Sequence, residues 1–561
     1  MNKRIWAFAT LAGICFGAAA AEQADLILRN GKIVTVDDRF TIAQAIAIKG
    51  ERVVATGRNS EIARFAGPGT RTIDLKGKTV IPGLIDNHAH FMRAAEYWHR
   101  EVRLDGVTSR SRALEMIAAK AKQSAPGEWV LALGGWSLEQ FTDSQQGFTR
   151  AELDRAAPDN PVALQLIYFR IYTNGAGLKA LGIDDKTPDP KGGKIEKDAG
   201  GQPTGELNGA GAVRGTLSKL GEIAMERMTQ NAGALLADLN RMGITSYIDM
   251  GGRGFQDKYF EPFRALARDR KLTARVFYYT WYEPETAAQV DDVVAKIRQM
   301  KPFQGDDYFD HVGYGETVFF PLHDNLLAAS ANPSREALVQ WRRVAEAVAD
   351  QGMALVVHSQ LRGSIEAFLA EIEAINKLRP VKGLRWTLVH ADQLELADLD
   401  RLRRLGMYVQ LQSRPTIQGL LMMKIHGDRT FAMPPMRMVQ DSGIPWGLGS
   451  DATAVTPSNP FYTLWFAVTG RMLGGAVVNR QTITREEALI AHTRNNAYFM
   501  FQEANLGSLQ PGKYADLLVL DRDYLTVPVD RILDIAPSMT MVGGKIVYEA
   551  ARAPTLPKAT P

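Results

Sequence analysis

Two periodicities divide the chain. In residues 25–82, short apolar–polar alternations are broken by turn dipeptides, as in DLILRNGKIVTVD, AIAIKGERVVATG and TRTIDLKGKTVIPG. Alternation with period two marks half-buried strands, and the NG and KG pairs mark the turns between them. Residues 507–550 repeat the style in GSLQPGKYADLLVLD and PSMTMVGGKIVYEA. Neither end carries enough strands for a stable sheet of its own. The pattern therefore predicts one small composite β-sandwich, built from 22–82 and 501–561. Between them, residues 83–500 alternate apolar runs with helical stretches. The runs are VLALGG (130–135), ITSYIDMGG (244–252), ARVFYYTWY (274–282), ALVVHSQ (354–360), RWTLVHAD (385–392), MYVQLQS (407–413) and PWGLGSD (445–451). The intervening 335–352, REALVQWRRVAEAVADQG, is amphipathic at helical spacing. Repeated β-then-α units predict an α/β fold with a parallel sheet, here a closed (β/α)8 barrel. Residues 136–215 break the rhythm with Pro- and Gly-rich loops and predict an insertion placed to cover the barrel mouth.

The first residues follow neither pattern. MNKRIWAFATLAGICFGAAAAEQ begins with Lys3 and Arg4, continues with an apolar run, and ends in small residues. This is the layout of a secretory signal peptide, residues 1–21, with an A-x-A site at Ala18 to Ala20. The run is short for a ~20-residue membrane span. A periplasmic or secreted protein is expected. Cys15 is the only cysteine, so any metal site in the mature chain has to use His, Asp, Glu or a modified lysine. The formal charge is +4, with 66 basic and 62 acidic residues and no basic run. Neither nucleic acid nor stable membrane insertion is indicated. A small-molecule substrate is the expected partner, and a homo-oligomer is left open.

Chemistry enters at the ends of the apolar runs. In a barrel, functional groups sit at the C-terminal ends of strands. The stretch VIPGLIDNHAHF (80–91) ends in His88 and His90, ALVV ends in His358, RWTLV in His390 and PWGLGS in Asp451. One histidine after an apolar run is more often a packed residue. Four, with an aspartate, at equivalent places among only nine histidines in the chain point to a divalent metal, for which imidazole and carboxylate are suitable ligands. The HxH spacing suits this role because alternate strand residues point the same way. His99, His311, His426 and His492 lack that setting and are expected to be structural or superficial.

VIPGLIDNHAH, VVHSQ, LVHAD and GLGSDA, with the closing GSLQPGKYADLLVLD, resemble the amidohydrolase superfamily, and in particular its amidohydrolase-3 branch of YtcJ-like and N-substituted-formamide-deformylase-like proteins. GGWSLEQF (134–141), DNPVALQLIYFRIYTNGAGLKALGI (159–183) and GGQPTGEL (200–207) add to the likeness, which spans about 25–550. The resemblance implies a metal-bearing (β/α)8 barrel. It implies that His88 and His90 bind one metal with Asp451, and that His358 and His390 bind a second. Many relatives bridge the two with a carboxylated lysine, and at the matching place in HVGYGETVFF (311–320) this chain has Glu316. One or two divalent ions per chain, zinc above all, are therefore expected. HSQLRGS lacks the acid that often follows the fifth strand in the family, and SDATAV replaces a Ser-Asp-x-Pro pattern. These departures leave the ligand set intact and bear on substrate choice.

The expected reaction is hydrolysis of an amide, formamide or cyclic amide by a metal-activated water, with Asp451 as general base and then general acid. Trp136, Tyr168, Arg170, Tyr172 and His323 are the candidate substrate-binding residues. The competing readings are a lyase, an isomerase or an esterase or lactonase on the same site, or a binding protein that kept the scaffold. For export, intact-mass analysis of secreted material is expected to give an N-terminus near Ala21 or Glu22. Retained Met1, or a lipid on Cys15, contradicts that reading.

Overall fold

A computed structural model describes residues 23–251 and 257–551. The expected signal peptide lies outside the described residues. Eight strands form one sheet in sequence order: Leu84–Ala89, Ile244–Asp249, Arg275–Thr280, Phe309–Tyr314, Ala354–Ser359, Thr387–His390, Tyr408–Gln412 and Trp446–Gly449, here β1 to β8. All pair in parallel. The residues β1, β2, β5, β6 and β8 are buried at every position. Parallel strands covered on both faces need such unbroken apolar runs, which is why these segments read as runs rather than alternations. The barrel closes just beyond β8. The Asp451 amide donates to the His88 carbonyl (2.8 Å), and the His90 amide donates to the Ala452 carbonyl (2.7 Å).

Helices cover the outside. Arg335–Asp350, between β4 and β5, begins where the Ser334 side chain accepts from the Ala337 amide. Its buried stripe of Trp341, Val344, Ala345 and Val348 recurs every three to four residues and belongs to the main core. This is the helical period seen in the sequence. Trp341 stacks on Phe368 of the next helix, Arg362–Asn376, at 5.0 Å.

The two ends of the chain share a six-stranded sheet. Lys32–Val34, Ile42–Ala43 and Thr79–Pro82 lie beside Leu517–Leu520, Pro537–Val542 and Lys545–Glu549. The seam is antiparallel, with Ile81 opposite Leu518. A second sheet of four N-terminal strands packs on it through Leu28, Ile46, Val80, Leu517 and Met541. The sandwich is thus composite, as the alternation at both ends predicts.

The segment between β1 and β2 builds a five-stranded sheet of Lys194–Lys197, Pro203–Asn208, Arg170–Thr173, Val162–Leu166 and Val130–Leu133. Val130–Leu133 is a correction to the sequence reading, which placed it among the barrel runs. It pairs in parallel with Val162–Leu166, and the remaining barrel place is taken by Phe309–Tyr314. A four-residue apolar run does not state which sheet it joins. The insertion leans on the segment after β8. The Gly135 amide donates to the Ala454 carbonyl (3.1 Å), and Ile167 packs on Ala454 and Val455. Among the described residues no helix is long and apolar enough to cross a membrane.

One buried ion pair ties the barrel to the sandwich. Arg275 of β3 donates from Nε and Nη2 to Asp516 (2.8 and 3.2 Å), with its guanidinium 4.2 and 3.9 Å from the Tyr308 and Tyr514 rings. Removing one partner leaves a buried, uncompensated charge. Asp516→Ala is expected to lower unfolding stability by roughly 3–5 kcal/mol, measured by urea denaturation. A loss under ~1 kcal/mol would show that the pair is dispensable.

Candidate metal centre

Strand ends supply the site. His88 lies in β1 and His90 one residue past it, His358 lies in β5 and His390 ends β6. Glu316 and Asp451 stand two residues beyond β4 and β8. All six are buried. Their donor atoms form three overlapping groups, His88/His390/Asp451, His88/His90/Glu316 and Glu316/His358/His390, with the atoms of each within 4.8 Å of one another. Glu316 is the hub. Its Oε2 lies 3.1 Å from His390 Nε2, 3.3 Å from His358 Nδ1 and 3.4 Å from His88 Nε2. Asp451 Oδ1 lies 3.0 Å from His90 Nε2 and 3.6 Å from His88 Nε2.

The outer edges of three rings are tied down. His90 Nδ1 meets the Gly251 carbonyl (2.8 Å), and His390 Nδ1 meets Gln412 Oε1 (2.8 Å). His358 Nε2 faces Asp324, 3.0 Å from its carboxylate and 3.0 Å from its carbonyl. Such contacts fix which nitrogen carries the proton and turn the other lone pair inward. Asp324 is itself held by the Gln360 and Leu361 amides. His390 and Asp451 both adopt left-handed backbone, with φ of 69° and 71°. Non-glycine residues in that region cost of order 1–3 kcal/mol each and persist where surrounding contacts impose them, often at functional sites.

Whether these residues suit an ion is decided at His88. Neither of its buried ring nitrogens has a hydrogen-bond partner. Burial lowers its pKa to about 4 against the pull of Glu316 and Asp451, so the ring is neutral at pH 7. A buried neutral imidazole facing two carboxylates at 3.4 and 3.6 Å has a lone pair without a hydrogen to meet. A divalent cation satisfies that lone pair, and the donor set fits one. Burial works to raise the Asp451 carboxyl, but the Arg414 guanidinium and the neighbouring imidazoles hold it far below the usual range. The surrounding imidazoles do the same for Glu316.

The candidate substrate residues fall in different places. His323 is exposed, stacks on His358 with centroids 3.8 Å apart and meets Thr317 Oγ1 at 2.9 Å, so it borders the cluster. Tyr168 is 39% exposed at the turn of the insertion that rests on the segment after β8, and its hydroxyl accepts from Arg93 (2.8 Å). Trp136 and Tyr172 are buried in the insertion's own aromatic core with Phe141 and Phe148. Arg170 is held in that sheet by Asn208 and Tyr172, at 2.7 and 2.9 Å. These three therefore serve the insertion's packing. Sequence reasoning missed Asp324, one residue after His323. It also missed Gln412, which ends β7, and Arg414, two residues past it. Applying the strand-end rule to the seventh run would have found both.

The comparisons with known proteins agree with this geometry. A model of the amidohydrolase family matches residues 71–548. The chain belongs to the amidohydrolase family. Members of its amidohydrolase-3 branch align over nearly the full length. An N-substituted formamide deformylase from Arthrobacter pascens is 26% identical over 94% of this chain and 99% of that protein, and the putative amidohydrolase YtcJ of Bacillus subtilis is 25% identical over 93% and 99%. Among solved structures, an uncharacterized metal-dependent hydrolase from Pyrococcus horikoshii has a TM-score of 0.65 at 20% identity, covering 90% of this chain and 99% of its own. An atrazine chlorohydrolase from Arthrobacter aurescens, complexed with zinc and atraton, has a TM-score of 0.52 at 17% identity, covering 93% and 95%. These likenesses concern the fold. As an amidohydrolase, the chain is a metal-dependent hydrolase.

His88, the ring whose nitrogens no protein group meets, provides the test of the site. His88→Ala removes that ring and is expected to weaken zinc binding by more than the ~10–100-fold typical of losing a supporting contact, measured by competition with a chelating dye. Unchanged affinity would mean that His88 holds no ion.

Proposed function

We propose that this amidohydrolase is exported and cleaves a C–N bond in a small amide, formamide or cyclic amide. The observation that carries the reading is the split environment of Asp451. Its Oδ1 faces the His88 and His90 nitrogens, while its Oδ2 is held by Arg414 at 2.5 Å. One oxygen is thus anchored and the other faces the nitrogens that would hold an ion.

The cluster of His88, His90, Glu316, His358, His390 and Asp451 is where a divalent ion would be held, with zinc the candidate. When bound there, the ion supplies an acidified water, of pKa near ~7, and a Lewis acid for the substrate carbonyl. Asp451 takes the proton from the attacking water and returns it to the leaving nitrogen, a base and then an acid on one carboxylate. Its ionisation is secured by Arg414, so it is ready as a base at neutral pH. His323, exposed beside the cluster, and Tyr168, on the insertion turn, border the approach and contact the substrate. The relative from Arthrobacter pascens, named for cleavage of N-substituted formamides, makes formamides the first compounds to try. Export rests on the sequence of residues 1–21.

The experiment is a panel of formamides, amides and cyclic amides, with esters and lactones beside them, run on zinc-loaded and chelated protein. Amine release that vanishes with chelation and returns with zinc is expected. Turnover confined to esters and lactones would overturn C–N specificity. Asp451→Asn is expected to lose ~10²-fold or more in kcat, the scale of a removed general base, while metal content falls less. Near-full turnover of metallated Asp451→Asn would reject the catalytic role.

A further inference from the structure

Arg414 is the one cationic side chain, among the described residues, that meets both Asp451 and His390. It stands between β7 and the helix Pro415–His426, and its side chain turns inward to 8% exposure. Nε and Nη2 both reach Asp451 Oδ2, at 2.5 Å. Nη2 also lies 3.1 Å from His390 Nε2. A guanidinium only donates and stays charged at any ordinary pH. His390 Nε2 is therefore the acceptor of that contact. The other nitrogen of the ring is engaged with Gln412, at 2.8 Å. His390 has one inward lone pair, and of the three groups 3.1 Å from it, Glu316 Oε2, His358 Nδ1 and Arg414 Nη2, Arg414 is the permanent donor.

That lone pair is the one His390 would offer to an ion in the Glu316, His358 and His390 group. One lone pair cannot serve both a hydrogen bond and a metal. A cation placed there would also sit beside a fixed positive charge in a buried setting, where repulsion is poorly screened. The other side of the cluster differs in both respects. His88 has two unpartnered nitrogens, and His90 Nε2 faces the Asp451 oxygen that Arg414 leaves free. Asp451 thus separates two positive positions, one on each oxygen.

Building on the metal-centre reading above, we propose that the site takes a single divalent ion on the side of His88, His90, Glu316 and Asp451, and that the Arg414 guanidinium fills the place of a second cation beside His390. Glu316 then serves the one ion with Oε1 or Oε2 while its hub position keeps His358 and His390 in line, rather than bridging two ions. The inference concerns how many ions are held and where, and it stands apart from which bond is cleaved.

Metal-free, full-length protein is incubated with excess zinc, freed of unbound zinc, and analysed by plasma mass spectrometry. The wild type is expected to retain about one zinc per chain. Arg414→Met, which keeps length but removes charge and donors, is expected to retain about two. Two further variants locate the ion without touching Arg414: His358→Asn is expected to keep about one zinc and His88→Asn to lose it. Two ions in the wild type would overturn the proposal and leave the hydrolase reading standing. So would an ion lost in His358→Asn yet kept in His88→Asn, or a folded Arg414→Met that still holds one. A wild type without tightly held zinc would overturn this proposal and the metal centre together. Should Arg414→Met fail to fold, the wild-type count and the two histidine variants still decide.

Discussion

The seam between β1 and β8 is the contact on which the site depends. Two backbone hydrogen bonds, from the amides of Asp451 and His90, close the barrel there. They join the residues that carry three of the six candidate ligands. Beneath them the buried Asp86 carboxylate accepts from the Ser450 amide (3.0 Å), the Ser450 hydroxyl (2.5 Å) and the His88 amide (3.1 Å). The same bonds that make a ring of eight strands therefore set His88 and His90 opposite Asp451. A barrel that failed to close here would lose its fold and its chemistry together. The left-handed backbone at Asp451 is held by its amide bond to the His88 carbonyl, and that at His390 by its amide bond to Gln412.

Around this seam the remaining parts take separate tasks. The sandwich joins the two ends of the chain and is keyed to the barrel by Arg275 and Asp516. The insertion keeps its own core of Trp136, Phe141, Phe148 and Tyr172 and rests on the segment that follows Asp451 and, through Tyr168, on Arg93. The candidate ligands, costly to bury singly, collect at the strand ends, where most of them face one another. Among the six candidate ligands, His88 is the one whose nitrogens no protein group satisfies, which calls for a cation.

Much of this was legible in sequence because the signals are local. Histidines at the ends of apolar runs show both the strand and the direction of the site, since a barrel puts all those ends on one face. The two alternating ends of the chain showed the sandwich, since neither offers a complete sheet. What escaped depends on distance in sequence. Nothing in VLAL says that it pairs with Val162–Leu166 rather than with a barrel strand. Trp136 and Tyr172 look like pocket aromatics until both are seen packed on Phe148 in the insertion's core. Arg414 acts on Asp451, 37 residues away, through a long side chain that no periodicity reports. Asp324 reaches His358 from a loop whose only conspicuous residue was the histidine before it.

The central claim is that these strand ends form a metal centre. Crystals of zinc-loaded protein, with anomalous scattering recorded on both sides of the zinc edge, test it directly. The account predicts a strong anomalous peak at bonding distance from His88, His90 and Asp451, absent below the edge. Ordered side chains around His88 with no such peak, or a zinc peak elsewhere in the barrel, would contradict it.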